Sequence, residues 1–428
     1  MNKTALGTGR TGARKADAAW AARRALPVLA AWSALVALLA LGGCEEQPAA
    51  RRRAERLAAP QSELLVAVAW PVNSSKAAMV DGVRLAQEEI NAAGGMLGGR
   101  KLRLLIKDDA SSLSTGRQVA QEIADNLDVA AVIGHLNTYV AAPASQIYER
   151  AGLLMITPGA SGQKVTEQGG RLVFRSLPNN RDQARQIGDY AAAQGYKRVA
   201  IYYIKNDYGN DLANCFEQRA QELGIVVADR RSYSMEANEH RTLMSDWATL
   251  LKTDAIFLIG SMPDSPVIIR EARAAGLRVP VFGGAGLDSQ ELIARGGRDM
   301  EGTVIFSLFS ADDPSPRARA FAARYQHRYG LAPDSSAAQG YDTMQLLAHA
   351  IASANSAVPA NIAAALRATH GWQGATGSHA YNDKGDPVAK RLSKVVVRNG
   401  RFEYFEQSPP GPARQPAVAS GAALAAHD

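Results

Sequence analysis

Hydrophobic positions fall along this chain in two kinds of segment: short continuous apolar runs, and longer stretches with apolar residues at helical spacing. The runs, bounded by turn residues, predict buried parallel strands, and the longer stretches predict helices. The first series opens with a strand at 64–69 and a helix at 77–93 that carries Val80, Val83, Leu85 and Ile90 and stops at Gly94-Gly95. A strand at 102–107 ends in Asp108-Asp109, and a helix follows at 114–126. Then come Ala131-Val132-Ile133-Gly134, a polar loop, a helical stretch through Pro143 and Tyr148, the run Leu153-Leu154-Met155-Ile156-Thr157, and a second polar loop. In an open α/β sheet, ligands bind beyond the carboxyl ends of the strands. Residues 137–140 and 157–163 therefore offer two adjacent walls of a small-molecule site, or two ordinary turns.

A second series starts near Leu172. It predicts helices at 181–194, 212–223, 240–251 and 267–275, interleaved with strands at 198–203, 225–232, 255–259 and 281–283. A coda follows: a strand at 303–308, helices at 316–329, 335–354 and 359–369, a segment at 377–381, and strands at 390–398 and 402–405 turned at Asn399-Gly400. Two consecutive α/β series predict two similar doubly wound, parallel-sheet lobes. The coda is too short for a third domain and completes the two lobes, so the chain crosses between them three times.

Composition changes this picture only at the ends. With 46% hydrophobic and 21% charged residues, the 428-residue chain has an ordinary soluble make-up, enough for two domains. The net charge of +7 belongs mostly to residues 1–43. They hold six of the 48 basic residues and one of the 41 acidic ones, which leaves 42 and 40 for the rest. A nucleic-acid partner would need a basic face, and none is visible. Arg23-Arg24 followed by an uncharged run from Ala25 to Gly43 has the parts of an export signal, with a signal anchor as the alternative, since 19 uncharged residues could just span a bilayer. Leu41-Gly42-Gly43-Cys44 resembles a bacterial lipobox, which implies removal of 1–43 and a lipid on Cys44. Residues 44–62 are polar without apolar periodicity and read as a flexible tether, with Arg51–Arg53 open to anionic headgroups or to plain solvation. Residues 407–428 read as a disordered tail rich in Pro, Ala and Gly. With Cys44 lipidated, Cys215 stands alone and is read as a buried small hydrophobe. The seven histidines show no paired spacing, and no GxGxxG follows the first strand, so neither an enzyme, a metal site nor a cofactor is expected.

Several stretches then act together. Gln87-Glu88-Glu89-Ile90-Asn91-Ala92-Ala93-Gly94-Gly95, Val132-Ile133-Gly134-His135-Leu136, Pro143-Ala144-Ser145-Gln146-Ile147-Tyr148-Glu149 and Leu154-Met155-Ile156-Thr157-Pro158-Gly159-Ala160 occur in order. Tyr208-Gly209 after a strand and Tyr381-Asn382-Asp383-Lys384-Gly385-Asp386 complete the set. From 64 to 406 the chain resembles the type I solute-binding proteins of ABC transporters, the leucine/isoleucine/valine-binding family. The resemblance implies lobe 1 at 63–177 and 308–375 and lobe 2 at 178–307 and 376–406. Crossovers would lie near 176–179, 305–309 and 376–380, with hinge closure over a ligand. It implies a periplasmic, lipid-anchored monomer that hands a small molecule to a permease. A sensory lipoprotein of the same fold, acting on a protein partner, is the alternative.

The resemblance also places a ligand carboxylate on Thr138, Gly159 and Ser161 of the first lobe, with Ala160 among the ligand-binding positions. Thr138 precedes a helix, whose free N–H groups suit an anion, and it is equally suited to be an N-cap. Tyr208 matches an aromatic that closes from the second lobe, against the alternative of a tyrosine in a surface turn. The departures fall on that lobe. Ala285 stands where the family's ammonium-pairing Glu is expected, and Ser261 and Met262 stand where strand-end tyrosines are expected. The usual first-lobe cysteine pair is absent, with Asn137 at one of its positions, and Pro71–Ser75 lacks the usual aromatic. Asp264 and Asp288 are read as helix caps, with a replacement carboxylate as the other option. The anion side is kept and the ammonium side is changed, so branched-chain specificity does not follow.

Overall fold

The computed structural model describes residues 48–234 and 240–405; the export segment with Cys44 and the tail lie outside them. Strand β1 (Glu63–Ala69) shows how the sheets are built. Leu64, Val66 and Val68 enter one apolar core, and Leu65, Ala67 and Ala69 enter another on the opposite face. A strand buried on both faces must be apolar throughout, which is why these strands read as continuous runs. With β2 (Lys101–Lys107), β3 (Val129–Gly134), β4 (Leu154–Thr157) and β5 (Val173–Arg175), β1 forms a parallel sheet in the order β2-β1-β3-β4-β5.

The second sheet repeats that order. β6 (Arg198–Ile204), β7 (Val226–Tyr233), β8 (Ala255–Ile259), β9 (Val281–Gly283) and β10 (Val304–Ser307) run β7-β6-β8-β9-β10 in parallel. β13 (Ser393–Arg398) and β14 (Arg401–Tyr404) extend it antiparallel. Arg398 pairs Arg401 across Asn399 (φ 51°) and Gly400 (φ 71°), the positive angles a two-residue hairpin requires. In both sheets the strand order reverses beside the first strand of the series, between β1 and β3 and between β6 and β8. Loops leaving the carboxyl ends at such a switch point form a crevice.

Helices cover both faces of each sheet. On sheet 1, α2 (Ala78–Ala92) packs with the C-terminal helices α11 (Pro316–Tyr329), α12 (Ser335–Ala354) and α13 (Pro359–Arg367). Gly82 and Gly340 let α2 and α12 touch backbone to backbone: a Cβ on either would strike the Ala337 or Met79 carbonyl. The other face carries α3 (Leu113–Asp125) and α4 (Thr138–Arg150). Sheet 2 is covered by α6 (Asn180–Ala193) and α7 (Asp207–Glu222) on one face and by α8 (His240–Leu250) and α9 (Asp264–Ala274) on the other. Among the described residues no helix is long and apolar enough to cross a membrane.

Two expectations are corrected. The first is the flexible tether: residues Ala49–Ala58 form helix α1, docked on lobe 1. Arg53 and Leu57, four residues apart on one helix face, are both buried. The Arg53 guanidinium donates to the Ala151, Ala124 (2.5 Å) and Asn126 (3.1 Å) carbonyls, at the C-terminal ends of α4 and α3. Those ends carry unpaired carbonyls and partial negative charge, so a cation belongs there. Arg53 is therefore withdrawn from any membrane surface. The second is the last crossover. Leu177 enters the lobe 2 core after β5, and Leu308 and Phe309 divide between the two cores. The third passage comes later than 376–380. Trp372–Gly374 (β11) and Gly377–His379 (β12) pair beside lobe 1, Tyr381 lies in its core, and the Gly385 carbonyl accepts from the Arg175 N–H (3.0 Å). The chain reaches the lobe 2 core only at Leu392, so 376–387 belongs to lobe 1.

Candidate functional site

The carboxyl ends of β1, β3 and β4 and those of β6, β8 and β9 face one cavity of about 220 Å³. It holds seven of the eight positions expected from the sequence: Thr138, Gly159 and Ser161 from the first lobe, and Tyr208, Ser261, Met262 and Ala285 from the second.

The first-lobe wall is tightly organised. Thr138 opens α4 but does not cap it. Asn137 is in the N-cap position, and the Thr138 hydroxyl oxygen accepts from Gly162 N–H (3.1 Å). Its own proton remains available to an acceptor in the cavity. Thr157 ties the two loops together, donating to the His135 carbonyl (2.7 Å) and accepting from Gly159 N–H (3.2 Å) and Ala160 N–H (3.0 Å). Ala160 is the expected position that does not line the cavity: its N–H donates to Thr157, and it is buried in the core behind the cavity. Ser161 lines the cavity, and its carbonyl accepts from Asn180 N–H (2.9 Å) at the first crossover. Beneath the loop, the buried Arg175 donates to the Ala160 and Gly162 carbonyls (3.2 Å each) and to Thr166 (2.8 Å), and pairs Asp386 at 2.6 Å.

Tyr208, on the first turn of α7, stands half-buried over the cavity beside the Gly284–Gly286 backbone. Burial pushes its phenol up to about 12, so it acts as a neutral hydroxyl. Ala285 begins a short 3-10 turn, Ala285–Leu287. Neither expected cap is one. Pro263 occupies the cap position before Asp264, and Ser289 caps the helix that follows Asp288. The Asp288 carboxylate instead accepts from the Ser307 hydroxyl, and neither acid lines the cavity.

Among the lining residues that were not anticipated are Trp70, Lys76 and Gln183. Trp70, one residue past β1, supplies the aromatic that Pro71–Ser75 lacks; its indole N–H donates to the Lys76 carbonyl (2.9 Å) and its ring lies against Gly159. A lone tryptophan at a strand end was the available signal. Lys76 and Gln183 gave none. Lys76 crosses the cleft and donates to the Ala285 (3.2 Å) and Asp288 carbonyls of the second lobe. Gln183 on α6 donates to the Pro178 carbonyl (2.8 Å) and leaves its amide oxygen buried without a partner among the described residues. Apart from Lys76 the lining carries no charged side chain.

Cys215 is half-buried rather than buried, with its thiol pushed up to about 11 by burial, which makes it a poor nucleophile. An Asp–His–hydroxyl line does exist, His135 bridging Asp109 (2.6 Å) and Tyr148 (3.1 Å), but all three residues are sealed from solvent behind the β3 loop. Its geometry fixes that loop. No group of three or more potential metal ligands occurs among the described residues.

Two switch-point crevices closing on one cavity is the geometry of a solute-binding protein, and the sequence comparison agrees: the periplasmic binding protein family model matches residues 65–400. The chain belongs to the periplasmic binding protein family. This periplasmic binding protein is 29% identical over 357 residues to Leu/Ile/Val-binding protein homolog 1 of Brucella suis, covering 81% of this chain and 94% of that one. It is 30% identical over 332 residues to the leucine-, isoleucine-, valine-, threonine- and alanine-binding protein of Pseudomonas aeruginosa, covering 75% and 86%. In structure it resembles an ABC transporter substrate-binding protein from Desulfitobacterium hafniense solved in complex with Leu, with a TM-score of 0.71, 35% identity, and coverage of 80% and 100%. These relatives are named for binding solutes and not for catalysis.

Proposed function

We propose that this protein is the substrate-binding component of an ABC importer and takes a small carboxylate- or amide-bearing solute into the cleft by hinge closure. The observation that carries the reading is the shared cavity, into which the loops after β1, β3 and β4 and those after β6, β8 and β9 converge. The carboxylate would lie against the Thr138 and Ser161 hydroxyls and the mouth of α4, whose first-turn N–H groups favour an anion. Tyr208, Ser261, Met262 and Ala285 would close over it from the second lobe. Three chain passages between the lobes suit hinge motion, with the ligand stabilising the closed form. Mass spectrometry of the natively purified protein, followed by calorimetry, tests the reading. A retained small carboxylate or amide supports it, and failure of every amino acid, carboxylate and amide to bind overturns it.

The protein is further proposed to work on the periplasmic side of the membrane, anchored through lipid on Cys44. The support is the sequence Leu41-Gly42-Gly43-Cys44 after an uncharged run. Cys44→Ala should abolish labelling by radioactive palmitate, and unchanged labelling overturns the anchor.

A further inference from the structure

We propose that the cleft selects a carboxylate whose second polar group is neutral, because its lining carries the Lys76 ammonium, set against the second-lobe wall, and no carboxylate. The inference rests on the solute-binding reading above and narrows it to a ligand class.

The starting point is the imbalance of the lining. An amino acid zwitterion buried between two lobes needs an anion for its ammonium, since a buried unpaired charge is costly. The cavity offers hydroxyls, amides and apolar groups but no carboxylate, and its one charged side chain is positive. At Ala285 the second lobe presents only a methyl group and a backbone carbonyl. That carbonyl is already taken: Lys76 donates to it at 3.2 Å and to the Asp288 carbonyl beside it. The lysine is held for this reach. Its N–H donates to Ser74 Oγ (3.2 Å), and its carbonyl accepts the Trp70 indole N–H (2.9 Å). A tethered ammonium thus occupies the Ala285 and Asp288 carbonyls of the second-lobe wall.

Two acids lie behind Lys76, and both are engaged away from the cavity. Asp288 accepts the Ser307 hydroxyl. Asp334 caps α12 by accepting from Ala337 N–H (2.8 Å). They balance the lysine, and neither is exposed to a solute in the cavity. A second ammonium entering the cleft would meet Lys76 first.

What the second-lobe wall does offer is a neutral acceptor. Gln183 is 2% exposed and lines the cavity, its amide nitrogen is fixed on the Pro178 carbonyl, and its amide oxygen is buried without a partner among the described residues. A hydroxyl or amide N–H on the ligand satisfies that oxygen without importing charge. A site with an unpaired buried acceptor discriminates strongly for the ligand that supplies the donor. The fitting class is therefore a small 2-hydroxy acid or an amide-bearing carboxylate.

Matched ligands test this. Calorimetry on the purified full chain, freed of retained ligand, compares the L-amino acid, the 2-hydroxy acid and the plain carboxylate built on the leucine, phenylalanine and alanine skeletons. On the skeleton that fits, the 2-hydroxy acid should bind at least about tenfold more tightly than the amino acid. Lys76→Met, which keeps the apolar stem, and Lys76→Ala should shrink that ratio to about threefold or less. Tighter binding of the amino acid by the wild-type protein overturns the inference and leaves the solute-binding reading standing. An unchanged ratio in both variants overturns the role of Lys76. If no ligand of the panel, nor any other amino acid, carboxylate or amide, binds, both readings fall. The wild-type comparison needs no variant to fold.

Discussion

At the scale of residues, the first-lobe wall is shaped by groups that never touch the cavity. Arg175 is completely buried, and its donors fix the Ala160 and Gly162 carbonyls on either side of Ser161. Burial lowers its pKa, while Asp386 opposes that shift. Breaking a buried pair from one side leaves the other charge uncompensated, at a cost of roughly 3–5 kcal/mol. Arg175→Met should therefore lower the unfolding free energy by about 3 kcal/mol or more in urea titrations. It should also weaken ligand binding, because the 159–162 loop loses its anchor. Equal affinity in the folded variant would show that Thr157 alone positions the loop. The sequence made Thr138, Gly159 and Ser161 legible, because small hydroxyl and glycine residues after an apolar run are a local signal. It hid Arg175, Lys76 and Gln183, whose partners lie 15, 209 and 5 residues away and depend on how the chain is folded back.

At the scale of elements, α1 turns an apparent tether into part of lobe 1. Its sequence, AARRRAERLA, has no apolar stripe to betray it, and only Arg53 and Leu57 are buried. A buried arginine reads as a solvated one until its acceptors are known. Here the acceptors are helix-end carbonyls, and burial lowers the guanidinium pKa to about 10 without discharging it at neutral pH. Arg53→Ala leaves those carbonyls to water or to nothing, which should cost about 1–3 kcal/mol, read from the midpoint of denaturant unfolding. Hydrogen exchange should show the amides of 49–58 losing protection first. No change in either measurement would mean that α1 docks through Leu57 alone. The strands were the most legible elements, since burial on both faces demands an unbroken apolar run. β5 and β11 were missed as strands because three residues cannot establish a period.

At the scale of the whole molecule, the third passage between the lobes carries a buried ionisable cluster that makes stability depend on pH. Lys390 donates to the Thr376 carbonyl (2.9 Å), to Thr376 Oγ1 (3.1 Å) and to His379 Nε2 (2.8 Å), while Asp342 on α12 accepts from Thr376. The cluster pins the passage to lobe 1. The Lys390 carbonyl and the Leu392 N–H both bond Gln186 on α6, which pins it to lobe 2. Since Lys390 donates to His379, the imidazole must be neutral there, and burial together with the Lys390 charge lowers its pKa from 6.5 to about 4. The unfolded chain then binds a proton between pH 6.5 and 4 that the folded one refuses, so stability falls as the pH falls through that window. Burial also lowers Lys390 to about 7, so its penalty is complete below pH 7 and is relieved as the pH rises towards 10.5. Between pH 6.5 and 5 the histidine alone should remove about 2 kcal/mol from the unfolding free energy. His379→Gln, which cannot titrate, should flatten that part of the profile while leaving the acid loss below pH 4 that comes from carboxylates such as Asp342. An unchanged slope in the variant would place the pH dependence elsewhere in the molecule. A flattened slope would make this passage the point where acid loosens the joint between the lobes, remote from the Thr138 and Ser161 wall and without altering its chemistry.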